Sequence, residues 1–181
     1  DVVSLGEFAY RNKAHLAFAE ENRKLILGFF DDVTRTVIPA HKCLLHGEWF
    51  TVASKIILEW AREHSFHAYN PRTGKGLLRF ALLRYLEGSL MLTLVVNGGR
   101  LSGTDGLYEK LCGKFDKTSL YTCENKTAGS GVLTGKIRLV AGEERLSGEM
   151  RGVKFGLSPD SFFQVNGRMA ERIYSDVLEI I

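Results

Sequence analysis

The sequence predicts an α+β fold built on a largely antiparallel sheet. Three observations predict it. β-rich runs come in adjacent pairs split by short turns, which is the pattern of hairpins. Helical periodicity is confined to a few separate segments. No regular β-α-β alternation links them, so a parallel sheet covered on both faces is not expected.

In chain order, Phe8 to Ala19 reads as a strand. Tyr10, Asn12, Ala14, Leu16 and Phe18 share one face, and Arg11, Lys13 and His15 the other, because side chains alternate. Glu20 to Arg23 is a polar turn, and Leu25 to Phe30 returns as the second strand of a hairpin. Thr34 to Ile38 is a short extended piece ended by Pro39. Trp49 to Ala61 places Val52, Ala53, Ile56, Ile57 and Trp60 at helical spacing, so an amphipathic helix is predicted. Asn70 to Gly74 is loop. Leu77 to Leu86 and Ser89 to Val96 form a second hairpin across Glu87-Gly88. Thr104 to Phe115 is predicted helical, with Asp105 and Glu109 towards its start and Lys114 at its end, as the helix dipole favours. Leu120 to Glu124 is a short strand, 125–131 a flexible loop containing Gly129 and Gly131, and Leu133 to Val140 another strand. Arg145 to Met150 and Val153 to Leu157 form a third hairpin across Arg151-Gly152. A final helix is expected from about Ser161.

Composition bounds the function classes. The 181 residues suit one domain, and 45% hydrophobic with 25% charged residues is ordinary for a globular protein. The net charge is only +3, so nucleic-acid binding must come from a local patch. Residues 71–100 carry Arg72, Lys75, Arg79, Arg84 and Arg100 against Glu87 alone, the strongest basic bias in the chain. Three cysteines, Cys43, Cys112 and Cys123, lack paired short spacings, which argues against a disulfide framework and for a reducing, cytoplasmic setting. No apolar run approaches a membrane span, and the Asp1-Val2-Val3 start has no basic region of a signal peptide. The sequence starts without Met and stops inside an amphipathic segment, so a piece of a longer protein is expected. There is no Gly-rich phosphate loop and no dinucleotide fingerprint. His41, Cys43 and His46 lack the second ligand pair of a zinc site.

The most informative stretch is Ser158-Pro159-Asp160-Ser161-Phe162-Phe163-Gln164-Val165-Asn166, at a strand-to-helix junction. One reading is a plain turn capped by Ser158 or Asp160, with the aromatics in the core. The other is a base-holding site, because aromatic faces and planar amides suit a nucleobase. This stretch resembles the motif preceding the catalytic domain in the RNA (uracil-5-)-methyltransferase family, whose members make 5-methyluridine in ribosomal or transfer RNA with S-adenosylmethionine. Tyr10-Arg11-Asn12-Lys13-Ala14 resembles the family's basic entry strand. Gly28-Phe29-Phe30 resembles the Gly-Phe strand after it. Asn70 to Arg79, with Arg84 beyond, resembles its Gly-x-Leu-Arg strand.

The resemblance implies a division at residues 1–158, a central RNA-binding domain, and 159–181, a helix leading into a catalytic domain outside this sequence. It implies that Gln164 touches S-adenosylmethionine, that Phe162 packs near the extruded base, and that Asn166 holds the turn. Arg11, Lys13, Arg79 and Arg84 are expected on RNA phosphates. Arg79 and Arg84, five apart, would lie on opposite strand faces, so one of them is open to a structural role. Phe163 is expected in the core. In the family a cysteine thiolate adds to C6 of uracil, C5 attacks the methyl group, and a glutamate removes the C5 proton. Both residues belong to the catalytic domain, so no catalytic residue is expected here and the chain alone is expected not to methylate. Cys43 matches the fourth ligand of the 4Fe-4S cluster found in the ribosomal-RNA branch, and is equally readable as a small buried residue. That match favours rRNA over tRNA as partner. A stand-alone RNA-binding module without catalysis is the alternative, and an interaction domain unrelated to nucleic acid is a third.

Overall fold

The computed structural model describes residues 3–127 and 131–180. Asp1, Val2, the Gly129 part of the predicted loop, and Ile181 lie outside the described residues. Nine strands and three helices follow in the order β1 (Lys13–Glu21), β2 (Lys24–Asp31), β3 (Thr36–Pro39), α1 (Glu48–Glu63), β4 (Leu78–Leu86), β5 (Ser89–Val96), α2 (Thr104–Cys112), β6 (Thr118–Glu124), β7 (Ile137–Gly142), β8 (Leu146–Met150), β9 (Val153–Leu157) and α3 (Gly167–Ile180). The first seven strands make one sheet in the order β3-β2-β1-β4-β5-β6-β7, and β8 pairs with β9 separately. The predicted α+β class holds.

Three hairpins set the antiparallel character, and each closes with two residues. Asn22-Arg23, Glu87-Gly88 and Arg151-Gly152 all have positive φ at both positions. That is the signature of the tight turns whose twist matches that of paired strands. One connection departs from the antiparallel expectation. β5 and β6 run parallel, with α2 as the crossover between them. β5 explains why: all eight of its residues are buried, the near-continuous apolar run of a strand covered on both faces.

The main core lies between the sheet and the two helices. Ala14, Leu16 and Phe18 of β1, Leu25 and Leu27 of β2, and Leu90, Leu92 and Leu94 of β5 face Phe50, Ala53, Ile57 and Trp60 of α1, with Leu107 and Leu111 of α2. Trp60 donates its indole N–H to the Gly103 carbonyl (2.9 Å), which satisfies its polar edge where α2 begins. On the opposite face, the β8–β9 hairpin covers Met91 and Tyr121, and the segment before β7 covers Leu82, Val95 and Cys123. The part of that face formed by β1 and β2 is not in either cluster, whereas β4 contributes Leu82, Phe80 and Leu86 to them.

Helix α2 is shorter than predicted, ending at Cys112, with Lys110 rather than Lys114 in its last turn. Helix α3 starts at Gly167 rather than near Ser161, because Asn166 is its cap: its Oδ1 accepts from the Met169 N–H (3.1 Å). Among the described residues, no helix is long and apolar enough to cross a membrane.

Gly28 has a strict steric reason. A Cβ there would sit 1.9 Å from the Ile38 carbonyl oxygen and 2.6 Å from its carbon, both backbone atoms of β3. Gly28→Ala should therefore destabilise the fold by about 1–3 kcal/mol through forced displacement of β3. Urea unfolding checks this; an unchanged midpoint would show that β3 yields freely.

Candidate functional site

The terminal motif is docked onto the entry segment, and side chains just before β1 and on β4 hold it at both ends. Asn12 donates from Nδ2 to the Gln164 carbonyl (3.0 Å), and its backbone N–H donates to the Val165 carbonyl (2.9 Å). Arg84 donates from Nη2 to the Ser161 carbonyl (2.6 Å) across 77 residues of sequence. The segment before residue 13 is not part of the predicted continuous strand. Arg11 bridges in parallel to His46 on one side and antiparallel to Asn166 on the other.

Between these anchors the side chains divide cleanly. Phe162 projects into solvent, 83% exposed. Phe163 turns inward and packs against Phe155, ring centroids 5.1 Å apart, as expected. Gln164 is exposed while its carbonyl is held by Asn12. Ser158 and Asp160 do not cap the helix. Ser158 Oγ donates to Asp160 Oδ1 (2.6 Å) and the Ser158 N–H donates to Ser161 Oγ (2.9 Å), closing a turn at the end of β9. The Ser158 hydroxyl, a backbone N–H and nearby Arg84 hold the Asp160 carboxyl below its usual range.

Beside this segment the sheet gathers positive charge. Lys13 and Arg84 are direct cross-strand partners in the β1–β4 ladder. Like charges placed opposite each other destabilise a sheet. Arg84 is also only 4% exposed. Its Nη1 and the Nε of Arg11 are buried without a hydrogen-bond partner among the described residues. A buried unsatisfied polar group costs about 1–3 kcal/mol. Burial, then Arg84, lowers the Lys13 pKa; burial lowers that of Arg84, with Asp160 opposing. Burial, then Lys13 and Arg84, pushes the His15 imidazole down to about 4.

The remaining predicted residues lie elsewhere. Arg79 is a correction. It was expected on RNA phosphate, but it is 8% exposed and its Nη1 donates to the Asn125 carbonyl (2.6 Å), Asn125 Oδ1 (3.0 Å) and the Thr127 carbonyl (2.9 Å). Its guanidinium also lies over the Tyr69 ring at 4.5 Å. Arg79 sits at a bulge between Leu78 and Phe80, and its contacts make it a brace for the loop after β6. Cys43 is half-buried, with its sulfur 3.1 Å from Nδ1 of His46. His46 in turn contacts the Lys13 carbonyl through Nε2 (2.9 Å) and stacks on Phe50. Cys112 is exposed at the end of α2 and Cys123 is buried within β6. A cluster takes about four thiolates, and among the described residues no group of three or more metal-ligating side chains converges anywhere. These residues do not by themselves fit an iron-sulfur cluster. For S-adenosylmethionine, the exposed Gln164 amide beside Phe162 fits one wall of a site.

Asn12, His15 and Ser161 were not singled out from sequence. Asn12 could have been, since it sits between two basic residues of the entry motif.

No family model matches the chain. The chain is 27% identical over 175 residues to an uncharacterized RNA methyltransferase of Bacillus cereus, a match covering 95% of this chain and 38% of that protein. An uncharacterized RNA methyltransferase of Clostridium acetobutylicum is 28% identical over 177 residues, covering 95% and 38% respectively. The crystal structure of Pyrococcus abyssi tRNA (uracil-54, C5)-methyltransferase in complex with S-adenosyl-L-homocysteine superposes with a TM-score of 0.82 at 25% identity, covering 99% of this chain and 42% of that one. The chain is thus similar in sequence to proteins named RNA methyltransferases and in fold to a tRNA uracil methyltransferase. The chain spans about 38% of the length of the curated relatives it matches.

The His15 shift has a definite sign. Its folded pKa of about 4 lies below the ordinary 6.5. The unfolded chain therefore takes up the proton first as the pH falls. Stability held by the neutral ring is present above about 6.5 and is lost as the pH drops towards about 4. The His15 ring is crowded by neighbouring atoms yet keeps contact with solvent, so salt screens the smaller part of the shift that is due to Lys13 and Arg84. In an NMR titration, Lys13→Met should raise the His15 midpoint, and added salt should raise it in the unsubstituted protein. An unmoved midpoint in both would show that the two cations do not act on the ring.

Proposed function

We propose that this chain is the central, RNA-holding part of an S-adenosylmethionine-dependent RNA uracil-C5 methyltransferase that makes 5-methyluridine. The observation that carries the reading is the exposed Phe162–Gln164 pair, fixed by Asn12 and Arg84 beside a cluster of unsatisfied positive charge. Phe162 offers a free ring face to an extruded uracil, worth roughly 1–3 kcal/mol in stacking. Gln164 presents an amide that both donates and accepts, suited to the uracil edge or the amino-acid end of the cofactor. Asn166 holds the turn by capping α3. Arg11, Lys13 and Arg84 take the RNA phosphates. S-adenosylmethionine, when bound, supplies the methyl group. The residues of this chain bind and orient. The thiolate and the proton-removing carboxylate of the family's reaction would belong to a catalytic domain of the same polypeptide, with residues 1–158 holding RNA and 159–181 leading into that domain.

Helix α3 favours this over a stand-alone RNA-binding module. Ile173, Tyr174, Val177, Leu178 and Ile180 are 47–84% exposed, and Ala170 is the helix's one buried residue among those described. An apolar face of that kind is an interaction surface, and the catalytic domain is the partner we assign to it. The RNA class is left at RNA. Cys43 was the sole argument for rRNA, while the solved neighbour is a tRNA enzyme.

Two measurements test the reading. The purified protein should bind a uridine-rich RNA stem-loop with an affinity that falls steeply with salt, and Lys13→Ala should reduce the slope of log K against log salt by about 0.7–0.9. Absence of RNA binding even at low salt would overturn the reading. In the full-length enzyme, Phe162→Ala should lower 5-methyluridine formation about 10-fold. Its thermal stability should not change, because the ring is exposed. Unchanged methylation would remove Phe162 from the base site.

A further inference from the structure

On the outer face of the sheet, beside the area covered by the segment before β7, β1 continues past the cationic cluster into a groove. Along β1 and β4, the cross-strand pairs on that face run Lys13↔Arg84, His15↔Leu82, Ala17↔Phe80. Ala17 also faces Gly28 and Ala19 faces Ile26 on β2. From Lys13 to Ala17 is four residues, or about 13 Å of strand. There an open groove of about 660 Å³ begins, with Ala17 and Ala19 as its floor. Phe30 and Phe80 form aromatic walls, and Tyr69 and Arg72 come from the loop before β4. Arg35, at the β2–β3 tip, lies over the Phe30 ring at 5.6 Å while both remain largely solvent-facing. The small floor residues leave the space, and the aromatics and arginines at its sides are the groups that stack on bases and neutralise phosphates. At the far end Glu20 and Glu21 reverse the sign of charge, with Glu20 bonded to His67 at 2.7 Å.

We propose that this groove is a second RNA subsite, which holds single-stranded nucleotides flanking the base at Phe162. It rests on the RNA-binding reading above and extends it. Continuity decides the occupant: the groove shares its face and two of its strands with the Lys13–Arg84 cluster, so a strand whose phosphates sit on that cluster runs into it. The bases stack on Phe30 and Phe80, Arg35 and Arg72 take phosphates, and Glu20 and Glu21 end the track by repulsion. Gly76 makes the loop wall feasible. Its φ is +95°, and a Cβ there would lie 1.9 Å from the Ala68 carbonyl oxygen, so the Tyr69–Arg72 loop folds back tightly only with glycine.

The test compares fluorescence anisotropy of the purified protein with oligouridylates of three and seven nucleotides. The seven-mer should bind more tightly than the three-mer. Phe30→Ala and Arg35→Ala, both at exposed positions, should each weaken the seven-mer about 5- to 10-fold and leave the three-mer unchanged. Lys13→Ala should weaken both. If Lys13→Ala weakens both but the groove substitutions leave the seven-mer advantage intact, the subsite is refuted while the RNA-binding reading survives. A groove that instead receives a protein segment gives that same result. If neither oligonucleotide binds the unsubstituted protein, both proposals fall.

Discussion

The pairing of β1 with β4 is the constraint on which the rest depends. Strand β1 is the point where the first hairpin joins the second, since it pairs with β2 on one side and β4 on the other. Its register sets Lys13 against Arg84. From that pair, Asn12 and Arg84 reach the terminal segment at Gln164, Val165 and Ser161. A slip of one residue would turn Ala14, Leu16 and Phe18 out of the core and the basic residues into it. The hydrophobic pattern that builds the core therefore also aims the charges, and the site is as rigid as the core beneath it.

The charges are held against their own preferences. Burial acts on Arg84 and Lys13 together, and the one carboxylate that opposes it at Arg84, Asp160, is already bonded to Ser158. The two buried unsatisfied guanidinium nitrogens lie on Arg11 and Arg84. Arg79 shows the contrast. It is equally enclosed, yet three acceptors and an aromatic face satisfy it. One arginine is a finished structural brace. The other is left partly unmatched beside an exposed Phe and Gln, and that difference separates the candidate site from the rest of the sheet.

The two ends of the chain play unlike parts. Residues 9–12 of the N-terminal segment are pinned by backbone bridges to residues 44–46 on one side and 165–166 on the other. Helix α3 is anchored at its start by Asn166 and leaves most of its apolar side chains in solvent. The fold thus presents a fixed motif at the base of an unburied amphipathic helix.

Much of this was legible in the sequence by itself. Turn signals at Glu20 to Arg23, Glu87-Gly88 and Arg151-Gly152 between β-rich runs located the three hairpins, because both are local properties of the chain. Helical spacing located α1 for the same reason, and the aromatic-amide motif stood out by composition. Tertiary structure decided what local pattern cannot carry. The parallel β5–β6 pair depends on how α2 packs back on the sheet. The start of α3 depends on Asn166 being used as a cap after Ser161, Gln164 and Val165 are held by Arg84 and Asn12. Which arginine is a brace and which belongs to the site depends on partners 46 and 77 residues away. Spacing along one strand reports the face a side chain takes, but only the folded neighbours determine whether its charge is satisfied.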